Sequence, residues 1–237
     1  MTESTRTTTK PKKQGGFFSN LIFNIIIPTV ILTQFSDEES LGPAYGIVVA
    51  LAFPICFGIW DLIKAGKINP FSVIGIISVG LTGGISLLQL DPEYIAIKEA
   101  AIPGMIGLAV LFSNKTRFPL VKKLILNEQM INIPALNAAL EEKGNVARFE
   151  QRVTTSSLIV ASSFFLSSAL NYILAKVLLV SPPGTSAYNE ELGKMTAMSY
   201  PVIVVPSMIV LFLALWYLFS QMGKLTGQSI ENFINEQ

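Results

Sequence analysis

Residues 195–223 form the run MTAMSYPVIVVPSMIVLFLALWYLFSQMG, and no charged side chain interrupts it between Lys194 and Lys224. A helix needs about 20 apolar residues to cross the hydrocarbon core of a bilayer. This run therefore predicts a transmembrane helix over residues 196–221. Strands of an outer-membrane barrel are the alternative, but those strands are about ten residues long and alternate strictly between apolar and polar side chains.

Five further apolar stretches lie at residues 17–35, 42–63, 70–90, 95–114 and 155–180. The chain of 237 residues is 51% hydrophobic and only 14% charged, whereas about 25% charged residues is typical of a soluble domain. The first stretch is longer than the apolar region of a signal peptide, and no small-residue cleavage site precedes Asp37. We therefore predict an all-α, polytopic membrane protein with six transmembrane helices arranged as three hairpins.

The positions of lysine and arginine predict the orientation, because cytoplasmic loops carry an excess of both. Fourteen of the seventeen fall on the side of the two termini, and only Lys98, Lys176 and Lys194 fall on the other side. We expect both termini in the cytoplasm of a bacterial cell, with the chain in the inner membrane. The predicted segments are a flexible basic tail (1–16), transmembrane helices 1–4 (17–114), a cytoplasmic connector with an amphipathic helix (115–153), transmembrane helices 5–6 (154–223) and a cytoplasmic tail (224–237).

The connector has two parts with different patterns. Residues 117–126, RFPLVKKLIL, place apolar side chains beside Lys122 and Lys123, which predicts a helix lying on anionic lipid. The second part has Pro134 near a helix start and Gly144 near a helix end, so it predicts a short soluble helix. A solvated connector without such roles is the alternative.

The composition excludes several classes of function. The chain has no histidine, which removes the usual general base and imidazole metal ligand. A net charge of +1 provides no basic surface for nucleic acid. The single cysteine, Cys56, lies in an apolar run, and we expect it to be a small core residue. We predict no catalytic residue, no metal site, no cofactor and no nucleic-acid partner, and we expect the protein not to be an enzyme.

Polar side chains within or beside the apolar stretches are the candidates for a solute or proton pathway, because ionisable groups at membrane depth are often functional. The candidates are Asp61, Asn24, Asn171, Glu99, Lys176, Glu190 and Glu191. Purely structural roles compete with this interpretation. Asp61 is three residues from Lys64 and their charges can neutralise each other, Lys176 can extend to the interface, and the asparagines can join neighbouring helices.

A proline recurs in the second helix of each of the three hairpins. Pro54, Pro103 and Pro206 stand in similar runs, FPICFGIWDL, IPGMIGLAVLF and VPSMIVLFLAL, with Gly58, Gly107 and Val210 four residues later. A proline frees a backbone carbonyl, and transporters use broken helices near their binding sites. We treat the three prolines as candidate hinges, although proline is also common in transmembrane helices without this role.

Four strings carry a resemblance to a known family: LIFNIIIPTVIL, SVIGIISVGLTGGISLLQLDPEYIAIKEAAIPGMIGLAVL, SFFLSSALNYILAK and NEELGKMTAMSYPVIVVPSM. Together they resemble an uncharacterised family of bacterial inner-membrane proteins, some of which are named after intracellular septation protein A or the major facilitator transporters. The resemblance covers nearly all of residues 17–227 and implies a bacterial inner-membrane protein of six helices. It implies no catalytic or binding residue.

The leading functional hypothesis is a small-solute transporter or permease-like protein. Its expected partners are the lipid bilayer, a small-molecule solute and further copies of the same chain. The rival hypothesis is a non-enzymatic membrane scaffold for septation or envelope assembly, acting through the acidic loops or residues 115–153. A membrane enzyme acting on lipid is the third hypothesis, with Glu99, Glu190 and Glu191 as its only acid or base candidates.

Overall fold

The computed structural model describes residues 17–65, 70–116, 119–126 and 130–235, and the predicted basic tail over 1–16 lies outside them. Within these ranges the protein is all-helical and forms no β-strand, which confirms the predicted class. Its elements in chain order are α1 (Phe17–Leu21, a π-helical turn Ile22–Ile26, then Ile27–Gln34), α2 (Gly42–Ala65), α3 (Pro70–Leu87), α4 (Glu93–Ser113), α5 (Leu120–Ile125), α6 (Ile133–Glu142), α7 (Val146–Leu178), α8 (Ser186–Ser199, a π-helical turn Tyr200–Val204, then Val205–Thr226) and a 3-10 turn (Ile230–Phe233).

Four of these helices are long and apolar enough to cross a membrane: Gly42–Lys64, Glu93–Ser113, Val146–Leu178 and Ser186–Thr226. Two shorter apolar helices, Phe18–Gln34 and Ser72–Leu87, accompany them. Only 17% to 28% of the residues in the most apolar part of each long helix are buried, so most of their apolar surface faces outward. Water would make such exposure unfavourable, whereas lipid does not. The chain is an integral membrane protein.

The two π-helical turns share a cause in the sequence. Each ends two residues before a proline, Pro28 in α1 and Pro206 in α8. A proline has no N–H to donate, and its ring collides with the carbonyl four residues earlier. The wider turn relieves this conflict by shifting the bonds to five residues, as in Ile27 N–H to the Ile22 carbonyl and Val205 N–H to the Tyr200 carbonyl.

Two helices begin earlier than their apolar runs predicted. The helix expected at 155–180 begins at Val146, and the helix expected at 196–221 continues a helix that begins at Ser186. Phe149 and Val153 stand four residues apart on one face and are buried, which holds the first turns of α7. Tyr188 and Leu192 are also four residues apart and buried, and their packing holds the first turns of α8.

The chain divides into two compact units. Unit 1 comprises Met1–Ile95 and Leu178–Ala197, and unit 2 comprises Ala96–Val177 and Met198–Gln237. In unit 1, α2 packs along both α1 and α3. The start of α8 belongs to the same unit, where the Thr29 hydroxyl donates to the Gly193 carbonyl at 3.4 Å.

Unit 2 includes most of the predicted connector. The helix predicted from RFPLVKKLIL is α5, and its Val121 is only 2% exposed because it packs with Val110, Val160 and Ala214. The predicted short helix is confirmed as α6, with Pro134 in its first turn. The Asn132 side chain caps α6 by accepting from the Ala135 N–H at 3.1 Å.

The C-terminal segment folds onto α6 as far as residue 235. Phe233 is 1% exposed and belongs to the same apolar cluster as Leu136, Phe149 and Met222. The Asn132 N–H donates to the Phe233 carbonyl at 2.8 Å. The segment predicted as a tail therefore contributes to the core of unit 2.

Gly46 of α2 provides a test of packing in unit 1. A β-carbon at Gly46 would overlap the Ser36 hydroxyl and lie 3.3 Å from Asn189 Nδ2, whereas one at Gly80 of α3 would meet no atom within 4 Å. We expect Gly46→Ala to lower the free energy of unfolding by about 1–3 kcal/mol through overpacking. Gly80→Ala is the control and should raise it by about 0.5–1 kcal/mol through helix propensity. Thermal unfolding in detergent measures both, and equal effects of the two substitutions would contradict the packing.

Candidate functional site

A cavity of about 310 Å³ lies among α1, α2 and α3 of unit 1. It is partly open and combines polar with apolar side chains. Its lining residues are Asn20, Asn24, Pro54, Phe57, Gly58, Asp61, Ser72, Gly75, Ile76 and Val79.

The helical period places these residues on the cavity. The four residues from α2 (Pro54, Phe57, Gly58 and Asp61) follow the spacing i, i+3, i+4, i+7, which is one face of a helix. The four residues from α3 (Ser72, Gly75, Ile76 and Val79) repeat the same spacing. One face of α2 and one face of α3, each with small, polar and apolar side chains, therefore line the same cavity.

Asn20 and Asn24 complete the polar wall from α1. They are one helical turn apart, and Asn24 Nδ2 donates to Asn20 Oδ1 at 3.3 Å. Asn24 belongs to the π-helical turn, a local widening that frequently occurs at functional sites. The bond within α1 therefore sets the orientation of this amide pair beside the cavity.

Gly58 allows α2 and α3 to approach closely at the cavity. A β-carbon on Gly58 would lie 2.9 Å from Cγ1 of Ile76, which is too close for any other residue without a shift. Gly107 has the corresponding place in unit 2, where a β-carbon would lie 3.2 Å from the Phe164 and Phe165 side chains. Both glycines follow a proline by four residues, so the sequence similarity around Pro54 and Pro103 corresponds to a shared packing role.

Asp61 supplies the negative charge of the cavity. It is half-buried, and none of the ion pairs between described residues includes it. Lys64, proposed as its neutralising partner, has its ammonium 4.4 Å from the centre of the Trp60 ring. A carboxylate beside amide and hydroxyl groups suits a cation or a donor of hydrogen bonds.

The other predicted pathway residues do not line this cavity. Asn171 Nδ2 donates to the Ser167 carbonyl at 2.8 Å within α7, and Lys176 is exposed near the end of that helix. Lys98 Nζ lies 2.5 Å from Glu99 Oε1, and Lys194 Nζ lies 2.6 Å from Glu190 Oε1.

Glu191 acts as a structural acceptor within unit 1. Its carboxylate accepts from the Val180 N–H at 2.9 Å, the Ser181 N–H at 2.9 Å and the Ser181 hydroxyl at 2.6 Å. It thereby fixes the backbone that follows α7. Of the seven predicted pathway residues, the structure brings Asn24 and Asp61 together.

The three predicted hinge prolines have different surroundings. Pro54 lies inside α2 and lines the cavity. Pro103 lies inside α4, and Pro206 follows the π-helical turn of α8. Pro28 resembles Pro206 more closely than Pro54 or Pro103 does, because Pro28 also follows a π-helical turn.

A set of buried polar side chains in unit 1 was not among the predicted residues. The Tyr188 hydroxyl and Ser86 Oγ are 3.2 Å apart, and both residues are buried. Asn189 is also buried, and its Nδ2 donates to the Pro43 carbonyl at 2.8 Å. Proximity to Glu190 and Glu191 made this segment resemble a loop, although the spacing of Tyr188, Leu192 and Met195 was the helical signal that identifies it.

Cys56 differs from its expected role because it is exposed rather than in the core. Within the described ranges, no three Cys, Asp or Glu side chains are grouped so that they could hold a metal ion. Comparison of the chain with models of protein families, with curated proteins and with solved structures finds no match.

The cavity predicts a difference in thiol reactivity between two neighbouring positions of α3. In a Cys56→Ser background, Val79→Cys places a thiol in the cavity. Ile77→Cys places the thiol on another face of α3, where the isoleucine side chain is 56% exposed. Thiolate forms in water and is disfavoured in apolar surroundings. We expect a membrane-impermeant maleimide to label Val79→Cys roughly tenfold faster than Ile77→Cys. Equal, slow labelling of both variants in reconstituted vesicles would show that the cavity is dry.

Proposed function

We propose that this protein is a permease-like protein of the bacterial inner membrane that binds a small solute in the cavity of unit 1. The observation that carries the proposal is the carboxylate of Asp61, placed with the Asn20 and Asn24 amides in a cavity of about 310 Å³ in an integral membrane protein. Asn24 stands within the apolar helix α1, where a polar side chain is costly and is usually retained for function. The inner membrane and the bacterial source rest on the family resemblance.

The proposed topology has six transmembrane helices in three hairpins, with both termini in the cytoplasm. The four long helices supply four of these crossings. Phe18–Gln34 and Ser72–Leu87 each rise about 25 Å, and a bilayer adapts to such a short span by thinning. The distribution of lysine and arginine supports the orientation.

The chemistry of the cavity indicates the class of solute. One carboxylate, two amides and the Ser72 hydroxyl offer mainly hydrogen-bond acceptors and one negative charge. The volume is at the lower end of the range for ligand pockets. We propose a small cationic or polyhydroxylated solute, with no cofactor and no covalent chemistry.

We propose that the cavity changes shape at two interruptions of the helical hydrogen bonding. Pro54 deprives the Ala50 carbonyl of its normal helical donor, and the π-helical turn loosens α1 beside Asn24. Interrupted helices at a binding site are common in secondary transporters. Pro54 and the turn of α1 are therefore the proposed hinges of unit 1.

A matched pair of aspartate substitutions tests the proposal. Purified protein in detergent is screened by thermal shift against small cations, amines, polyols and sugars. We expect at least one compound, at about 100 times its Kd, to stabilise the parent by about 2.7 kcal/mol and raise its Tm by several degrees. Asp61→Asn should lose this shift, because the charge that binds the solute is gone.

Asp37→Asn is the control, since Asp37 is an exposed loop carboxylate and its removal leaves the cavity intact. The shift should persist in this variant. A shift that Asp61→Asn retains would contradict the assignment of the cavity. A screen without any stabilising compound, together with slow labelling of Val79→Cys, would instead favour the membrane scaffold.

A further inference from the structure

A second concave surface of unit 1 runs along α2 and is almost entirely apolar. It has a volume of about 490 Å³ and is lined by Ser19 and Phe23 of α1 and by Ala52, Phe53, Cys56 and Trp60 of α2. Phe57 lines both this groove and the polar cavity, and its ring stacks on Phe23 with a centroid distance of 5.3 Å. The groove is thus a separate, apolar feature on the other side of Phe57.

The groove leads towards a positive charge. Ala52, Cys56, Trp60 and Lys64 are spaced four residues apart, so they follow one stripe of α2. Lys64 is exposed and its Nζ lies 4.4 Å from the centre of the Trp60 ring. The apolar stripe therefore ends at an aromatic ring and an ammonium group.

The length of the stripe corresponds to one leaflet of a membrane. Lys64 follows Ala52 by twelve residues in a continuous helix, a rise of about 18 Å. Half of a hydrocarbon core is about 15 Å. Tryptophan is enriched at the membrane interface, and lysine extends its ammonium to the headgroups. With Trp60 and Lys64 at headgroup depth, the groove extends to near the bilayer midplane.

We propose that this groove is a binding site for one anionic phospholipid, with an acyl chain in the groove and the phosphate at Lys64. The apolar lining fits the chain, and the ammonium complements the negative headgroup. A bulk zwitterionic lipid would gain the apolar contact alone, so the charge gives the site its selectivity. The site does not require solute transport, because the polar cavity lies on the other side of Phe57.

Trp60 reports on the groove directly. Trp216→Phe leaves Trp60 as the sole tryptophan, because the chain has two. The full-length protein is reconstituted in phosphatidylcholine vesicles that contain increasing fractions of phosphatidylglycerol or phosphatidylcholine with brominated acyl chains, which quench tryptophan fluorescence. One lysine near anionic lipid gives about a fivefold preference. We expect half-maximal quenching at about a fivefold lower mole fraction of the brominated phosphatidylglycerol than of the brominated phosphatidylcholine.

Charge variants identify the group responsible. Lys64→Gln should remove the preference while quenching by both lipids continues, and Lys64→Arg should retain it. Lys224→Gln, which removes an exposed charge from the end of α8, is the control and should leave the preference unchanged.

Three results would overturn the proposal. The first is the same quenching curve for both lipids in the Trp216→Phe protein, and the second is a preference that survives Lys64→Gln. The third is a Trp60 that neither brominated lipid quenches, which would mean that protein, such as a second copy of the chain, covers the groove.

Discussion

Hydrocarbon cannot hydrogen-bond to a peptide group, and this constraint governs the rest of the structure. A segment that crosses a bilayer must pair its N–H and carbonyl groups internally, so long apolar stretches become helices. The exceptions are informative because they require a local remedy. Pro28 and Pro206 each lack the backbone N–H that a helix needs as a donor, and a π-helical turn ends two residues before each of them. Both turns depart from the regular i to i−4 pattern of hydrogen bonds, and the first of them carries Asn24.

Polar groups in unit 1 fall into two kinds. One kind is buried and used in packing, as in the contact between Tyr188 and Ser86 and the bond from Asn189 to the Pro43 carbonyl. The other kind lines the cavity, where Asn24 and Asp61 stand among both small and large side chains. The first kind has a structural explanation in its partners. For the second kind we propose a functional role, since an apolar lining would pack the same helices at lower cost.

The helical class and the central parts of all six apolar helices were predictable from the sequence, because runs of uncharged side chains report directly on the surrounding solvent. Helix starts were less predictable. Scanning for apolar runs overlooks short amphipathic turns such as those of Phe149 and Val153, whose burial extends α7 to Val146. The candidate site was predicted in part. Asn24, Asp61 and Pro54 line one cavity, whereas Glu191 is held by the Val180 and Ser181 backbone, a contact across a turn that spacing in the sequence does not reveal. Cys56 illustrates a related difficulty, because in a membrane protein an apolar run contains both core and lipid-facing residues.

The central claim is that lipid is the solvent around these helices. Washing membranes from cells that express the full-length chain with alkaline carbonate tests it directly, because this treatment strips proteins held by charge and leaves those embedded in hydrocarbon. We expect the protein to stay in the membrane pellet and to be released only by detergent. Recovery of the folded protein in the carbonate supernatant, without detergent, would contradict it.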